Sequence, residues 1–431
     1  MKVIRYPKKE EWAGILARPT IETQDLTATV SAIMADVKAN GDRAVRNYTE
    51  QFDGVRIEEL LVLEDEFQKS DELVPPKLKE AISHARANIE KFHLAQIEES
   101  KTVETTEGVF CWRKSVAIEK VGLYIPAGTA PLFSTVLMLA VPAKIAGCRE
   151  IVLCSPPDKN GRIDPTILYT AKTCGVTKMF KVGGVQAIGA MAYGTESIPA
   201  VYKIFGPGNQ FVTFAKQLVS QSGVAIDMPA GPSEVAVFAD ETSIPEFVAA
   251  DLLSQAEHGA DSHVLLVTTS ENVIERTRAE IEKQLAILPR REIAARSLEN
   301  STLILAENEN EAVEILNEYA AEHLILAVRN ADEIAEKITN AGSVFIGNYS
   351  CESAGDYASG TNHTLPTNGY AKNYSGVSLD SFVKKITFQK LSAAGIRNLG
   401  PTIELMAEAE SLQAHKNAIS VRLKYVSEIS N

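Results

Sequence analysis

The sequence predicts an α/β protein built from two modules with mainly parallel sheets, and three observations lead there. Short β-branched runs alternate with amphipathic stretches from about residue 121 onward. A turn at Pro229-Ala-Gly-Pro232 divides the alternation into two series. A content of 45% apolar and 23% charged residues over 431 positions is enough to fill two soluble cores.

The region from about 20 to 100 reads as helix-rich, with apolar residues at helical spacing in Val30, Ile33, Met34 and Val37 and again in Ala81, Ile82, Ala85 and Ile89. Gly54 and the pair Pro75-Pro76 interrupt it. The first strand series is 121–125, 151–154, 178–182, 202–205 and 224–226; the second is 235–238, 263–267, 302–305, 323–326 and 343–346. From 355 to 374 the chain is dense in Gly, Ser, Thr, Asn and Tyr without a period, which marks a long loop, and the polar cluster leading to His363 favours a functional one. Residues 378–391 and 402–425 read as helices, the second forming a C-terminal arm.

A net charge of −13 argues against general affinity for nucleic acid or an anionic membrane, since a phosphate backbone demands clustered Lys and Arg. A small molecule is the expected partner. Five cysteines without a C-x-x-C pair indicate neither a disulfide framework nor a thiolate zinc site, and fit reduced thiols in the cytoplasm. No targeting or membrane-spanning stretch is expected: the longest apolar run, near 136–146, is too short.

Histidine is scarce, seven in the chain, yet four of the seven stand in polar contexts. Gln255 and His258 lie three apart where a helix is expected to end at Gly259, so both side chains share a face; a histidine there also simply caps helix carbonyls. Asp356 stands among glycines, where a carboxylate commonly serves a turn. Together the three would make a mixed N/O site suited to Zn²⁺ or Mn²⁺. Glu322 and His323 are adjacent at the start of a strand and face one cleft only at a loop-to-strand junction, where they would supply two proton-transfer groups. A surface Glu beside a structural His is the alternative. His84 and His93 on a charged helix read as solvated, and His263 as structural; Cys148 and Cys154 read as core.

Two glycine-rich turns follow strands. Gly206-Pro-Gly-Asn-Gln-Phe211 has Phe where the dinucleotide fingerprint needs its third small residue, and Gly183-Gly-Val-Gln186 is shorter still. Both modules are expected to be Rossmann-like without the usual fingerprint; these turns could still hold a nucleotide through backbone N–H groups and the Gln186 and Asn209 amides, a reading the residues alone leave open.

The motifs Tyr124-Ile-Pro-Ala-Gly128, Gly183-Gly-Val-Gln-Ala187, Phe205-Gly-Pro-Gly-Asn209, Asp227-Met-Pro-Ala-Gly-Pro-Ser-Glu234, Gln255-Ala-Glu-His258, Glu322-His-Leu324, Gly355-Asp-Tyr-Ala-Ser-Gly-Thr-Asn-His363 and Ala414-His-Lys-Asn417 resemble the histidinol dehydrogenase family over nearly the whole chain. Ala127 stands where that family usually has Gly, and Cys351 where it commonly has Pro. The resemblance implies a four-electron oxidation of L-histidinol to L-histidine through L-histidinaldehyde with two NAD⁺, in histidine biosynthesis. It implies one Zn²⁺ per subunit on Gln255, His258, Asp356 and His415, with Glu322 and His323 as bases. Ser233, Glu410 and His363 would contact substrate alongside His323 and the metal ligands, and Tyr124, Gln186 and Asn209 would line the NAD site. It also implies a homodimer in which Glu410 and His415 reach the partner's site; five residues on a straight helix are about 140° apart, so these two would serve different parts of the ligand.

The expected division is an N-terminal segment 1–22, a discontinuous α/β domain of 23–120 and 234–376 carrying metal and catalytic residues, a second α/β domain 121–233 contributing to NAD binding, and a helical arm 377–431 contacting the partner. From residues alone, the rivals are a zinc-dependent hydrolase using Glu322 as base and a non-catalytic zinc-dependent binding protein or dimer scaffold.

Overall fold

The computed structural model describes residues 1–18, 24–127, 130–229 and 231–429. Gly128 and Ala230, in two of the motifs above, and the boundary expected at 22/23 lie outside the described residues. The strands are β1 (Lys2–Arg5), β2 (Thr102–Thr106), β3 (Val109–Ala117), β4 (Lys120–Tyr124), β5 (Glu150–Ser155), β6 (Lys178–Lys181), β7 (Lys203–Phe205), β8 (Ala225–Ile226), β9 (Glu234–Ala239), β10 (His263–Thr268), β11 (Thr302–Leu305), β12 (His323–Ala327), β13 (Ser343–Ile346) and β14 (Val383–Leu391). They form two all-parallel sheets, ordered β6-β5-β4-β7-β8 and β1-β11-β10-β9-β12-β13, and an antiparallel sheet β14-β3-β2. The α/β expectation with mainly parallel sheets is met.

Strand alternation fills both faces of each parallel sheet. In the five-stranded sheet Val121, Leu123, Ile151 and Leu153 point to one core, shared with helices Pro76–Leu94, Phe133–Ala146 and Pro165–Cys174. Tyr124, Val152, Cys154 and Phe180 point to the other, under helices Gln24–Asp53, Gly184–Tyr193 and Gln210–Ser220. Helix Phe133–Ala146 is buried on nearly every side, matching its almost unbroken apolar sequence. In the six-stranded sheet Val235, Val237, Val264 and Ile325 pack beneath helices Pro245–Ala256, Glu271–Leu285 and Arg291–Glu299. Phe238, Leu265 and Leu324 pack against Trp12, Leu16 and helix Glu309–Tyr319.

Helices of the stretch 23–120, expected to group with 234–376, pack on the five-stranded sheet. Val30, Val37, Val45, Ile82 and Ile89 belong to the cores of the five-stranded sheet, because a parallel sheet needs helical cover on both faces and these helices supply it. The N-terminal stretch is an edge strand, β1, followed by short helical turns.

The chain divides into two compact units, Met1–Ala95 with Ile118–Phe382, and Gln96–Ala117 with the segment from Val383 onward. In the second, residues expected to be helical form β14, paired antiparallel with β3 along its length; Ile386 and Phe388 alternate with polar residues, and Phe388 stacks on Trp112 at 5.5 Å. The arm is two helices, Ala393–Ala409 and Gln413–Glu428, broken at Ser411 with φ 60°. Glu410 ends the first and His415 lies in the first turn of the second, so the straight-helix angle between them does not apply. Among the described residues no helix is long and apolar enough to cross a membrane.

Candidate active site and metal centre

The amino ends of the six-stranded sheet gather the chemistry. β12 begins at His323, so Glu322 sits at the loop-to-strand junction that lets both side chains face one another. Glu322 Oε2 lies 3.7 Å from His323 Nδ1 and accepts the backbone N–H of Glu234 at 2.9 Å. Gly342 permits the tight entry into β12: a Cβ there would lie 2.5 Å from the Glu322 carbonyl oxygen. On its other side the His323 ring reaches Asp356, Nε2 to Oδ1 3.3 Å, without a well-aligned hydrogen bond at either atom.

Asp356 does not occupy the expected loop. It lies on helix Glu352–Tyr357, which begins upstream of the glycine and brings Glu352 onto the face that carries Asp356. His258, Glu352 and Asp356 offer ligand atoms all within 4.8 Å of one another. Helix Pro245–Ala256 ends beside them, placing the buried Gln255 amide against Glu352, where with its NH₂ turned toward the carboxyl group it donates at 2.8 Å. Glu352, which sequence reasoning missed, is thus a member of the cluster.

Three carboxyl groups crowd the site, Glu322 and Glu352 buried and Asp356 half-buried, with His258 exposed beside them. Burial pushes the Glu322 carboxyl up to about 8 against the pull of His323. Burial drives Glu352 well above its ordinary value, with Asp356 and Glu322 adding to it. Burial would depress the His323 imidazole, but Glu352, Glu322 and Asp356 outweigh it and push the group up to about 10. Asp356 falls below the ordinary carboxylate range because His323, with His363 and His258, outweighs its own desolvation. Carboxyl groups that burial and mutual repulsion keep protonated are groups a divalent cation would stabilise as carboxylates by taking the place of their protons. An imidazole, carboxylates and an amide, with no thiolate, form a donor set that fits Zn²⁺.

The other expected residues divide. Ser233 is half-buried in the turn before β9, its carbonyl accepting the N–H of His263. His363 has both ring nitrogens engaged, Nδ1 with the Asp356 carbonyl at 2.9 Å and Nε2 with Thr135 Oγ1 at 3.2 Å. Glu410 and His415 belong to the second compact unit and are exposed. His93, expected in solvent, is fully buried with Nδ1 on the Ile89 carbonyl; His84 is exposed; His263 is buried on Tyr319 Oη at 2.7 Å. Cys148 and Cys154 are buried, and burial pushes both thiols far from a reactive thiolate.

At the carboxyl ends of the five-stranded sheet stand the residues expected around NAD. Tyr124 ends β4, buried, its hydroxyl accepting the Gly184 N–H at 3.1 Å. Gly206, φ 126°, follows β7 so closely that a Cβ would run into the Tyr124 carbonyl oxygen. Asn209 caps helix Gln210–Ser220, its Oδ1 taking the N–H groups of Phe211 and Val212, which leaves its NH₂. Gln186 is 1% exposed, and among the described residues neither polar atom of its amide has a partner. Two buried orphans on one side chain fit a site that expects a polar ligand.

A family model described as histidinol dehydrogenase matches residues 16–423. The chain belongs to the histidinol dehydrogenase family. It is therefore an oxidoreductase, and the chemistry at the sheet edges is to be read within that family. The histidinol dehydrogenase of Bacteroides thetaiotaomicron is 64% identical over 423 residues, covering 98% of this chain and 99% of that one, and that of Haemophilus influenzae is 55% identical, covering 95% of each. The crystal structure of histidinol dehydrogenase from Elizabethkingia anophelis is 56% identical and superposes with a TM-score of 0.97, covering 99% of each chain.

Proposed function

We propose that this chain catalyses the NAD⁺-linked, zinc-dependent, four-electron oxidation of L-histidinol to L-histidine through L-histidinaldehyde, in the cytoplasm, as a homodimer with shared sites. The observation that carries the reading is the Glu322–His323 pair seated beside the His258–Glu352–Asp356 cluster, 3.3 Å separating His323 from Asp356. Two adjacent bases suit a reaction that must deprotonate two different oxygens.

Gln255, His258 and Asp356 would hold Zn²⁺ together with His415 from the partner subunit, and Glu352 would orient the Gln255 amide so that its carbonyl oxygen is left to ligate. When bound, the ion would grip the amine and imidazole of the substrate and fix its orientation. His323 takes the alcohol proton as hydride passes to NAD⁺. Glu322 takes a proton from the water that adds to the aldehyde, and His323 then deprotonates the diol as the second hydride leaves. The carboxylates that raise His323 are those a cation would neutralise, which returns its imidazole toward the range of a general base. Ser233, Glu410 and His363 would contact substrate, His363 while bonded to the Asp356 carbonyl, and Tyr124, Gln186 and Asn209 would receive NAD⁺.

The stoichiometry of NADH formed per histidinol consumed tests this. A value of about two, abolished by a chelator, is expected from two successive hydride transfers. Histidinol consumed without nicotinamide reduction would instead favour the hydrolase reading of the same metal and base.

A further inference from the structure

Glu234 and Arg18 form a buried ion pair that none of the steps above uses. Glu234 is 1% exposed, and its carboxylate accepts two hydrogen bonds from Arg18, Nε to Oε2 at 2.7 Å and Nη2 to Oε1 at 2.9 Å. The backbone N–H groups of Asn368 and Gly369 approach the same carboxylate. Arg18 is itself held, donating to the Tyr319 carbonyl while its guanidinium carbon lies 3.8 Å over the Tyr319 ring; the Tyr319 hydroxyl meets His263 Nδ1 at 2.7 Å. His263 is the register partner of Glu234 across β9 and β10, so the chain of contacts closes on the residue where it began.

What this frame presents is one N–H. Glu234 opens β9, and its backbone N–H goes to Glu322 Oε2 at 2.9 Å. A buried ion pair is a poor source of net stability, because desolvation consumes most of its Coulomb attraction and an apolar pair of similar volume commonly does as well. It is a good source of fixed geometry, since bidentate hydrogen bonds allow a single arrangement. We infer that the Arg18–Glu234 pair is a positioning device for Glu322: it pins the first residue of β9 so that one carboxylate oxygen of Glu322 is held and the other is free to take a proton from water. The inference rests on the assignment of Glu322 to the water-activating step.

A positioning role separates two directions of one reaction. NAD⁺-dependent oxidation of histidinaldehyde needs water activation; NADH-dependent reduction of the same aldehyde to the alcohol does not. In Glu234→Gln and in Arg18→Lys, the oxidation is expected to fall about 10- to 100-fold as Glu322 drifts by a fraction of an ångström to an ångström, with the reduction changed less than about threefold. Arg18→Lys, which keeps the charge but not the fork, should be the milder of the two. A parallel fall of both directions, or unchanged rates in a folded variant, would overturn the inference. Should Glu234→Gln fail to fold, the doubly apolar Arg18→Leu/Glu234→Leu protein carries the same measurement, with the same outcomes. Glu322→Gln is the control: if it lowers both directions equally, the assignment of Glu322 to water activation fails, and the positioning inference falls with it.

Discussion

The two parallel sheets place the residues proposed for NAD⁺ binding and those proposed for metal and catalysis at opposite edges. Tyr124, Gln186 and Asn209 follow the carboxyl ends of β4, β6 and β7, whereas Glu322, His323, Ser233 and Glu234 stand at the amino ends of β9 and β12. The edges differ electrostatically. Strand-to-helix turns at a carboxyl edge lead into helix N-termini, whose free N–H groups suit the phosphates of a dinucleotide. An amino edge receives helix C-termini, with carbonyls and a negative dipole end that suit a cation, and exposes strand N–H groups that hold carboxylates. Gln255 and His258 stand at such a C-terminus, and the Glu234 N–H holds Glu322. On the proposed reading, one architecture used twice in opposite senses would separate an anionic cofactor from a cationic metal.

The comparison breaks most readily at Glu322. Glu322→Gln keeps the shape and removes the base, so kcat for NAD⁺-linked histidinaldehyde oxidation should fall about 10²- to 10⁴-fold while the dissociation constant for NAD⁺, measured by titration without substrate, stays put. Loss of NAD⁺ binding in this variant would mean that the two edges are not separate in function. At the same edge, Glu352→Ala frees the Gln255 amide and should weaken zinc about 10- to 100-fold in competition with a chromogenic chelator, again leaving NAD⁺ binding intact. Unchanged zinc affinity would remove Glu352 from the metal centre.

A pH experiment separates catalytic from structural histidines at the amino edge. Burial, aided by Arg18, holds His263 down at about 4 against an ordinary 6.5. The folded state therefore keeps it neutral while the unfolded state takes up a proton as pH falls below 6.5. Stability is complete above 6.5 and is lost as pH drops toward 4, about 2 kcal/mol of it between pH 7.5 and 5.0. Urea unfolding at the two pH values should show this loss in the wild type and a smaller one in His263→Gln. Equal pH dependence in both proteins would remove His263 as the cause.

Much of this was legible in sequence, for identifiable reasons. The β-branched runs announced both parallel sheets because fully buried strands tolerate little else, whereas the helix expected to carry both Gln255 and His258 ends at Ala256 and leaves His258 in the turn that follows. Glu352 was hidden because the glycines and serines around Asp356 suggested a loop, although its four-residue distance from Asp356 was a helical signal. His93 sits on the stripe of Ile82, Ala85 and Ile89, so its burial was readable, but the charged surroundings masked it. β14 carries mostly exposed side chains, giving too little hydrophobic contrast to announce a strand. The break at Ser411 is a single left-handed residue that no composition marks. Arg18 and Glu234 are 216 positions apart, and only the fold brings them together.

The carboxyl edge offers the smallest expected effect and a sign that discriminates. Gln186 buries two polar atoms without partners, and each such atom costs folding free energy that a ligand would offset. Gln186→Leu, close in volume and free of that cost, should leave the ligand-free protein as stable or raise its thermal midpoint, because nothing among the described residues bonds the amide. The same change should loosen NAD⁺ about tenfold, the weight of roughly one good hydrogen bond, and shrink the stabilisation that saturating NAD⁺ confers. Glu322→Gln should show the reverse pattern, an intact NAD⁺ effect with lost chemistry. A variant at Gln186 that destabilises the free protein and leaves NAD⁺ affinity alone would make the amide a structural group, and the carboxyl edge would lose the orphaned contact that now argues for a cofactor there.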